Sequence, residues 1–377
     1  MPPLSLYVHI PWCVQKCPYC DFNSHGLKQR LPEQEYVAHL LDDLAIDASR
    51  VNDREVSTIF IGGGTPSLFS ADAIASLLSG IRSRVNLAND AEITLEANPG
   101  TVETERFNAF QQAGVNRISI GVQSFQSAQL QALGRIHDGQ QAKRAAGYAH
   151  QARLRSFNVD LMHGLPQQNV ESALQDLSTA IEQLPPHLSW YQLTIEPNTQ
   201  FASRPPVLPD DDILWDIQSQ GHTLLTEAGY TQYEISAYSL PGHQCQHNLN
   251  YWRFGDYLGI GCGAHGKITD QHNGSITRTV KVKHPRGYMD IGKAYLSDCT
   301  TVSEQDLPFE FFMNRFRLLE PCPVDDYERL TGSPLPSEVK VSLGKAQQQG
   351  LISCSTTHWQ VTQTGHRYLN NLLGLFV

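Results

Sequence analysis

The sequence predicts an α/β chain: a partial (β/α)6 barrel followed by a smaller α+β module. Three observations carry this expectation. Short apolar runs alternate with helix-spaced segments through the first 200 residues. Polar and glycine-rich residues gather at the C-terminal end of every run, as they do at the single mouth of a barrel. From residue 303 the pattern becomes helix, helix, helix and then two short strands.

The first strand reads "LSLYVHI" at 4–10 and runs into a loop rich in cysteine. "STIFIGG" at 57–63 leads to "GGGTP", "EITLEAN" at 92–98 to "EANPG", and "RISIGVQ" at 117–123 to "GVQSF". "SFNVDLM" at 156–162 leads to "DLMHGLP" and "SWYQLTI" at 189–195 to "IEPNT". Between them Ile74, Leu77, Leu78, Ile81 and Val85 share one helical face, as do Leu174, Leu177, Ile181 and Leu184. Strands alternating with helices imply parallel pairing through right-handed crossovers. A doubly wound sheet would concentrate the polar ends at one or two switch points, so the even distribution favours a TIM-like barrel over 1–235. The helix pattern at 211–228 and "YTQYEISAYS" either finish that barrel or flank it. A glycine-rich connecting region occupies 236–300, and a winged-helix-like module 301–377. In so acidic a chain that module is expected to pack or to act as a lid, not to bind DNA.

Composition narrows the class. Hydrophobic content of 40% with 18% charged residues is ordinary for a soluble globular protein. No run has the length of a membrane helix, and "MPPLSLYVHI" lacks a basic segment ahead of an apolar core, so a cytoplasmic location is expected. A net charge of −10 argues against nucleic acid, and the basic run "KVKHPR" at 281–286 is expected to be a solvated surface. Of eight cysteines three are crowded and five scattered, which suits a ligand cluster in a reducing compartment.

The crowded three, Cys13, Cys17 and Cys20, stand in "HIPWCVQKCPYCDFNS" with no fourth nearby. Three thiolates can hold three irons of a cubane cluster and leave the fourth iron open. A zinc knuckle completed by His9 or His25 is the alternative. Cys-x3-Cys-x2-Cys after the first strand of a partial barrel resembles the radical S-adenosylmethionine superfamily. There a [4Fe–4S] cluster is held by the three cysteines, and the open iron is chelated by the amino and carboxylate groups of S-adenosylmethionine. Reduction by an electron donor then releases a 5′-deoxyadenosyl radical.

The same resemblance gives roles to the other strand ends. Gly62, Gly63, Gly64 and Thr65 would let backbone approach the methionine amino group. Glu96 would accept from a cofactor hydroxyl or ammonium, Arg135 would hold the cofactor carboxylate, and Asp160 would reach the sugar. Gln123 is a further candidate at the mouth, and Tyr7 would pack beside the cofactor.

"YVHIPWC", "GGGTP", "LEANP", "GVQS", "DLMHGLP" and "YLGIGCGAHG" together resemble the coproporphyrinogen dehydrogenase-like branch over nearly the whole chain. Its members are oxygen-independent coproporphyrinogen III oxidases, which are radical decarboxylases, and haem chaperones, which bind haem and deliver it to an acceptor protein. Oxidases carry a further cysteine where this chain has Phe22, and a long N-terminal extension where this first strand starts at residue 4. "HNLNYW" at 247–252 matches the His-Asn-x-x-Tyr-Trp signature of the chaperone group. The resemblance therefore implies haem binding, with His247 as axial ligand and Tyr251 and Trp252 stacking on the macrocycle. The oxidase is the alternative function. "GIGCGAHG" contains G-x-G-x-x-G, but strands and turns follow it where a dinucleotide site needs a helix, so the nucleotide reading fails.

Overall fold

The computed structural model describes residues 1–28, 30–101 and 104–377. One twelve-stranded sheet organises the chain. Its centre is β1 (Leu4–Ile10), β2 (Val56–Gly63), β3 (Leu87–Ala97), β4 (Arg117–Gln123), β5 (Ser156–His163) and β6 (His187–Gln192). These strands pair in sequence order and all in parallel. Sequential order with right-handed crossovers places the intervening helices on one face, so the sheet curls as a barrel does. One face of these strands is apolar: Leu6, Val8, Ile59, Ile61, Leu95, Ile118, Ile120 and Val159 alternate onto it and are completely buried, while Ser5, Thr58, Ser119 and Asn158 point to the other face.

Three of the barrel helices begin where a side chain satisfies their first amides. Ser70 caps α2 (Ala71–Arg82) by accepting from Ala73 N, and Asp138 and Asn169 form reciprocal caps with Gln141 and Ser172. The apolar stripe Ile74, Leu77, Leu78 and Ile81 of α2 is buried against the sheet, and α1 (Glu33–Ala48) packs beside it.

β3 begins at Leu87, well before "EITLEAN", and three further expectations need correction. The sixth strand runs two residues earlier than "SWYQLTI" and stops at Gln192. Leu193 and Ile195 spend their apolar surface in a satellite cluster with Met162, Leu165 and Phe201 instead of in the sheet. The "YTQYEISAYS" segment flanks the barrel: β7 (Thr231–Glu234) and β8 (Ala237–Ser239) form an antiparallel hairpin on the β6 edge. The basic run at 281–286 is only partly solvated. Lys283, His284 and Arg286 are exposed, but Lys281 is buried and ion-paired with Asp43 and with Asp47, the latter at 2.7 Å.

The connecting region extends the same sheet on its other side. The helix Gln246–Trp252, which carries the HNLNYW motif, leads into β9 (Asp256–Ile260), and β9 pairs in parallel with β1. β10 (His265–Thr269), β11 (Ile276–Lys281) and β12 (Leu296–Thr301) follow in antiparallel order. The C-terminal module has helices Leu307–Arg315, Asp326–Thr331 and Ser337–Gln348, then strands Ile352–Cys354 and His358–Val361. Its own core of Phe311, Phe312, Phe316, Tyr327, Trp359 and Phe376 is sealed by Phe254 and Ile276. Among the described residues no helix is long and apolar enough to cross a membrane.

Candidate functional site

The cysteine loop is closed by its own backbone. His25 N donates to Pro11 O at 2.7 Å and Leu27 N to Cys13 O at 2.8 Å. Trp12 anchors the loop, meeting the Tyr36 ring edge-on at 4.7 Å. Cys13, Cys17 and Cys20 are half-buried free thiols. Burial pushes the Cys13 and Cys20 thiols up, so holding them as thiolates requires a positive partner. Arg135 supplies one charge, donating to Cys17 Sγ at 3.5 Å and to Gly121 O at 2.6 Å.

Among the described residues no three His, Cys, Asp or Glu side chains converge as a single metal ion demands. His9, offered above as a fourth zinc ligand, is held between Tyr7 Oη at 3.0 Å and Asn23 O at 2.8 Å. A cubane cluster needs one thiolate per iron and no convergence on one point.

The strand ends beside the loop leave polar groups available to a ligand. Gly63 has φ +112°, and a Cβ there would lie 2.5 Å from the His9 ring, so only glycine lets β2 pass over His9. Gly63 N donates to Glu96 Oε2 at 3.0 Å, and Gly62 lies against the Glu96 carboxyl. Burial, and then Asp160, push Glu96 up to about 7. Asp160 accepts from Asn158 Nδ2 at 2.7 Å and Ser119 Oγ at 3.0 Å. Gln123 adopts φ +68°, a costly conformation for a residue with a side chain, and its Oε1 accepts from Tyr191 Oη at 2.8 Å.

The three cysteines, Gly63, Gly64, Thr65, Glu96, Gln123, Arg135 and Asp160 line one cavity of about 400 Å³. Among the described residues the buried Nε atoms of Arg117 and Arg135 have no hydrogen-bond partner there. Orphaned donors, a carboxyl held near neutrality and three free thiols fit a [4Fe–4S] cluster with S-adenosylmethionine bound to it.

A larger cavity of about 860 Å³ adjoins this one, sharing Cys20, Phe22, Ser24, Gly63 and Glu96 as a common wall. Tyr7, Tyr251, Trp252, Phe254 and Tyr257 give it an aromatic lining. Tyr251 and Tyr257 meet edge-on at 4.6 Å, and Arg317 covers Trp252 at 4.5 Å. His247 itself lines neither cavity: it is 1% exposed, with Thr58 Oγ1 at 2.8 Å and Tyr251 Oη at 2.9 Å.

Sequence reasoning missed Asn23, Thr58 and Tyr191, each of which holds a site residue through one long-range hydrogen bond that has no local signature. The glycine-rich "GIGCGAHG" also finds its role only in three dimensions. Gly261, at φ +100°, lets this turn pass over the His9 backbone, where a Cβ would lie 2.4 Å from His9 O.

Comparison with known proteins bears on the family and the fold. The radical SAM superfamily matches residues 7–180, and the HemN C-terminal domain matches residues 302–368. The haem chaperone HemW of Escherichia coli strain K12 is 63% identical over 377 residues, covering 100% of this chain and 99% of that protein. HemW of Haemophilus influenzae is 59% identical over 381 residues, covering 100% and 98%. The solved structure of the radical SAM enzyme coproporphyrinogen III oxidase (HemN) from Escherichia coli has a TM-score of 0.84 at 24% identity, covering 100% of this chain and 90% of that one, a likeness of fold. With whole-length identity to curated HemW proteins, the chain belongs to the HemW family of haem chaperones within the radical SAM superfamily.

Proposed function

We propose that this protein carries a [4Fe–4S] cluster on Cys13, Cys17 and Cys20, binds S-adenosylmethionine in the smaller cavity and haem in the larger one, and delivers the haem to an acceptor protein in the cytoplasm. The observation that carries this reading is the wall of Cys20, Phe22, Ser24, Gly63 and Glu96 common to the two cavities. It puts a ligand in the aromatic cavity next to the cluster loop. When bound, the cluster supplies one-electron chemistry from an external donor and an open coordination place for the cofactor.

The chain's own residues divide the work. Arg135 and Gln123 orient the cofactor's polar groups, Glu96 and Asp160 accept from its hydroxyl or ammonium groups, and Gly62, Gly63, Gly64 and Thr65 allow close approach. Tyr7, expected beside the cofactor, lines the larger cavity and packs on its side of the common wall. Tyr251 and Trp252 offer ring faces and edges to a flat macrocycle. His247 becomes the iron ligand when Tyr251 yields its nitrogen.

The test is a sample reconstituted without oxygen and given haem or coproporphyrinogen III. The reading expects a shifted Soret band with haem, weakened in His247→Ala while the cluster absorbance persists. Decarboxylation of coproporphyrinogen III, or no response to haem, would overturn it in favour of the oxidase.

A further inference from the structure

We infer that haem enters the larger cavity edge-on, with its two propionate carboxylates held at the mouth by Lys16 and Lys283. The inference rests on the haem reading above and adds an orientation to it.

The whole chain is acidic, at −10, yet this cavity is lined by Lys16, Lys267, Arg278 and Lys283. Two of those charges are already matched. Lys267 is paired with Asp256 at 3.0 Å, and Arg278 with Glu310. Lys16 and Lys283 are exposed and make no ion pair among the described residues; Lys16 Nζ donates only to Phe22 O, at 3.2 Å. Asp21 lines the same cavity and pairs with neither.

The two lysines come from distant parts of the sequence, and the fold brings both to one cavity. Asn23 Nδ2 donates to Lys283 O at 2.8 Å and to Cys262 O at 2.9 Å, tying the turn after β11 to the cysteine loop. The rings of His25 and His284 meet at 5.5 Å across the same seam. Burial first, and then neighbouring cations, hold His25 and His265 below the ordinary histidine value, so lysines carry the positive charge of this rim.

The cavity thus has two characters: aromatic rings inside and unmatched cations at the mouth. Haem has the matching two, an apolar macrocycle and two carboxylates on one edge. The reverse orientation would press those carboxylates toward Glu96 on the inner wall, taking like charges out of water together.

Cluster-reconstituted full-length protein should be titrated with haemin and with haemin dimethyl ester, following the Soret band, for the wild type, Lys283→Met, Lys16→Met and the double variant. The wild type is expected to prefer the free acid. Each single variant should lose about fivefold for haemin and nothing for the ester, as partly exposed ion pairs do. The double variant should bind the two alike, and added salt should narrow the wild-type preference. Lys283→Met carries the test by itself if Lys16→Met, beside Cys17, lowers the cluster absorbance. A preference that survives in the variants, or equal weakening toward both porphyrins, would overturn the orientation alone. A wild type that binds neither porphyrin would overturn the haem reading and this inference with it.

Discussion

His247 Nε2 lies 2.9 Å from the hydroxyl of Tyr251, one helical turn further on. Nδ1 lies 2.8 Å from Thr58 Oγ1, and Thr58 gives its own proton to Ser5 Oγ at 2.8 Å. Thr58 therefore accepts from Nδ1–H, and Nε2 presents a lone pair to Tyr251. Burial, then Arg117, push the His247 pKa down to about 3, so the ring is neutral across the working range. This is the state an iron ligand needs, with its second nitrogen already oriented. What stands in the way is the Tyr251 side chain, held over His247 by that hydrogen bond. Tyr251→Phe keeps a ring there but removes the bond that holds it in place. Haem should bind about fivefold more tightly, since such a bond contributes roughly 1 kcal/mol. Soret titration checks this, and unchanged or weaker binding would exclude His247 as the ligand released by Tyr251.

Replacing Cys13, Cys17 or Cys20 by alanine should abolish the brown chromophore of the reconstituted protein. Cys262→Ser should keep it, because Cys262 Sγ is engaged 2.7 Å from Lys283 O, away from the other three thiols. Iron and sulfide analysis with visible absorbance decides. A cluster that survives in Cys17→Ala would refute the ligand set.

Arg135 reaches both Cys17 Sγ and Gly121 O and keeps a buried Nε without a partner among the described residues. Arg135→Gln should weaken S-adenosylmethionine binding about tenfold or more, the loss expected for a charge-assisted fork to a carboxylate. Calorimetry on the reconstituted variant measures it. Full affinity with an intact cluster would remove Arg135 from the cofactor site.

How far the sequence could be read follows from where its constraints act. The strand–helix alternation and the cysteine spacing are local, so β1 to β5 and the cluster loop were legible from pattern alone. The end of β6 was not, because Leu193 and Ile195 are as apolar as strand residues and only the loop cluster around Phe201 claims them. Lys281 was misread for a similar reason. Its charge resembles that of Lys283 two residues later, and only α1, more than two hundred residues away, supplies Asp43 and Asp47. The HNLNYW motif was legible as a motif, but the burial of His247 behind Tyr251 depends on Thr58 and Ser5 from two other strands.

Glu96 gives a pH signature. Its pKa is raised to about 7, so in the ligand-free protein it is largely protonated below that value. Only the ionised form can accept from the cofactor with both oxygens, so binding below pH 7 must first remove a proton. S-adenosylmethionine affinity should fall toward tenfold per pH unit as the pH drops below about 7, and level off above it. Glu96→Gln should bind more weakly at pH 8 and show no such slope. A wild-type profile that is flat from pH 6 to 8 would show that Glu96 is not an acceptor for the cofactor.

The pair that sets the mouth of the larger cavity is structural. Lys281 on β11 is buried against Asp43 and Asp47 of α1, and Asp43 also accepts from Tyr288 Oη at 2.6 Å. Lys281→Met removes the cation and leaves two carboxylates without it in a dry site, which should cost about 3–5 kcal/mol of stability in urea denaturation. Burial already holds Asp43 above the ordinary carboxylate value, with Lys281 as the chief influence pulling it back. Without Lys281 that value rises further, so the folded variant takes up a proton at a pH where the unfolded chain has none. The stability deficit of the variant should therefore be full near neutral pH and shrink as the pH falls toward the ordinary carboxylate range. A deficit independent of pH would mean that the loss comes from packing of the lysine stem. In that case β11 is held to α1 by shape, and the position of Lys283 at the cavity mouth does not depend on the ion pair.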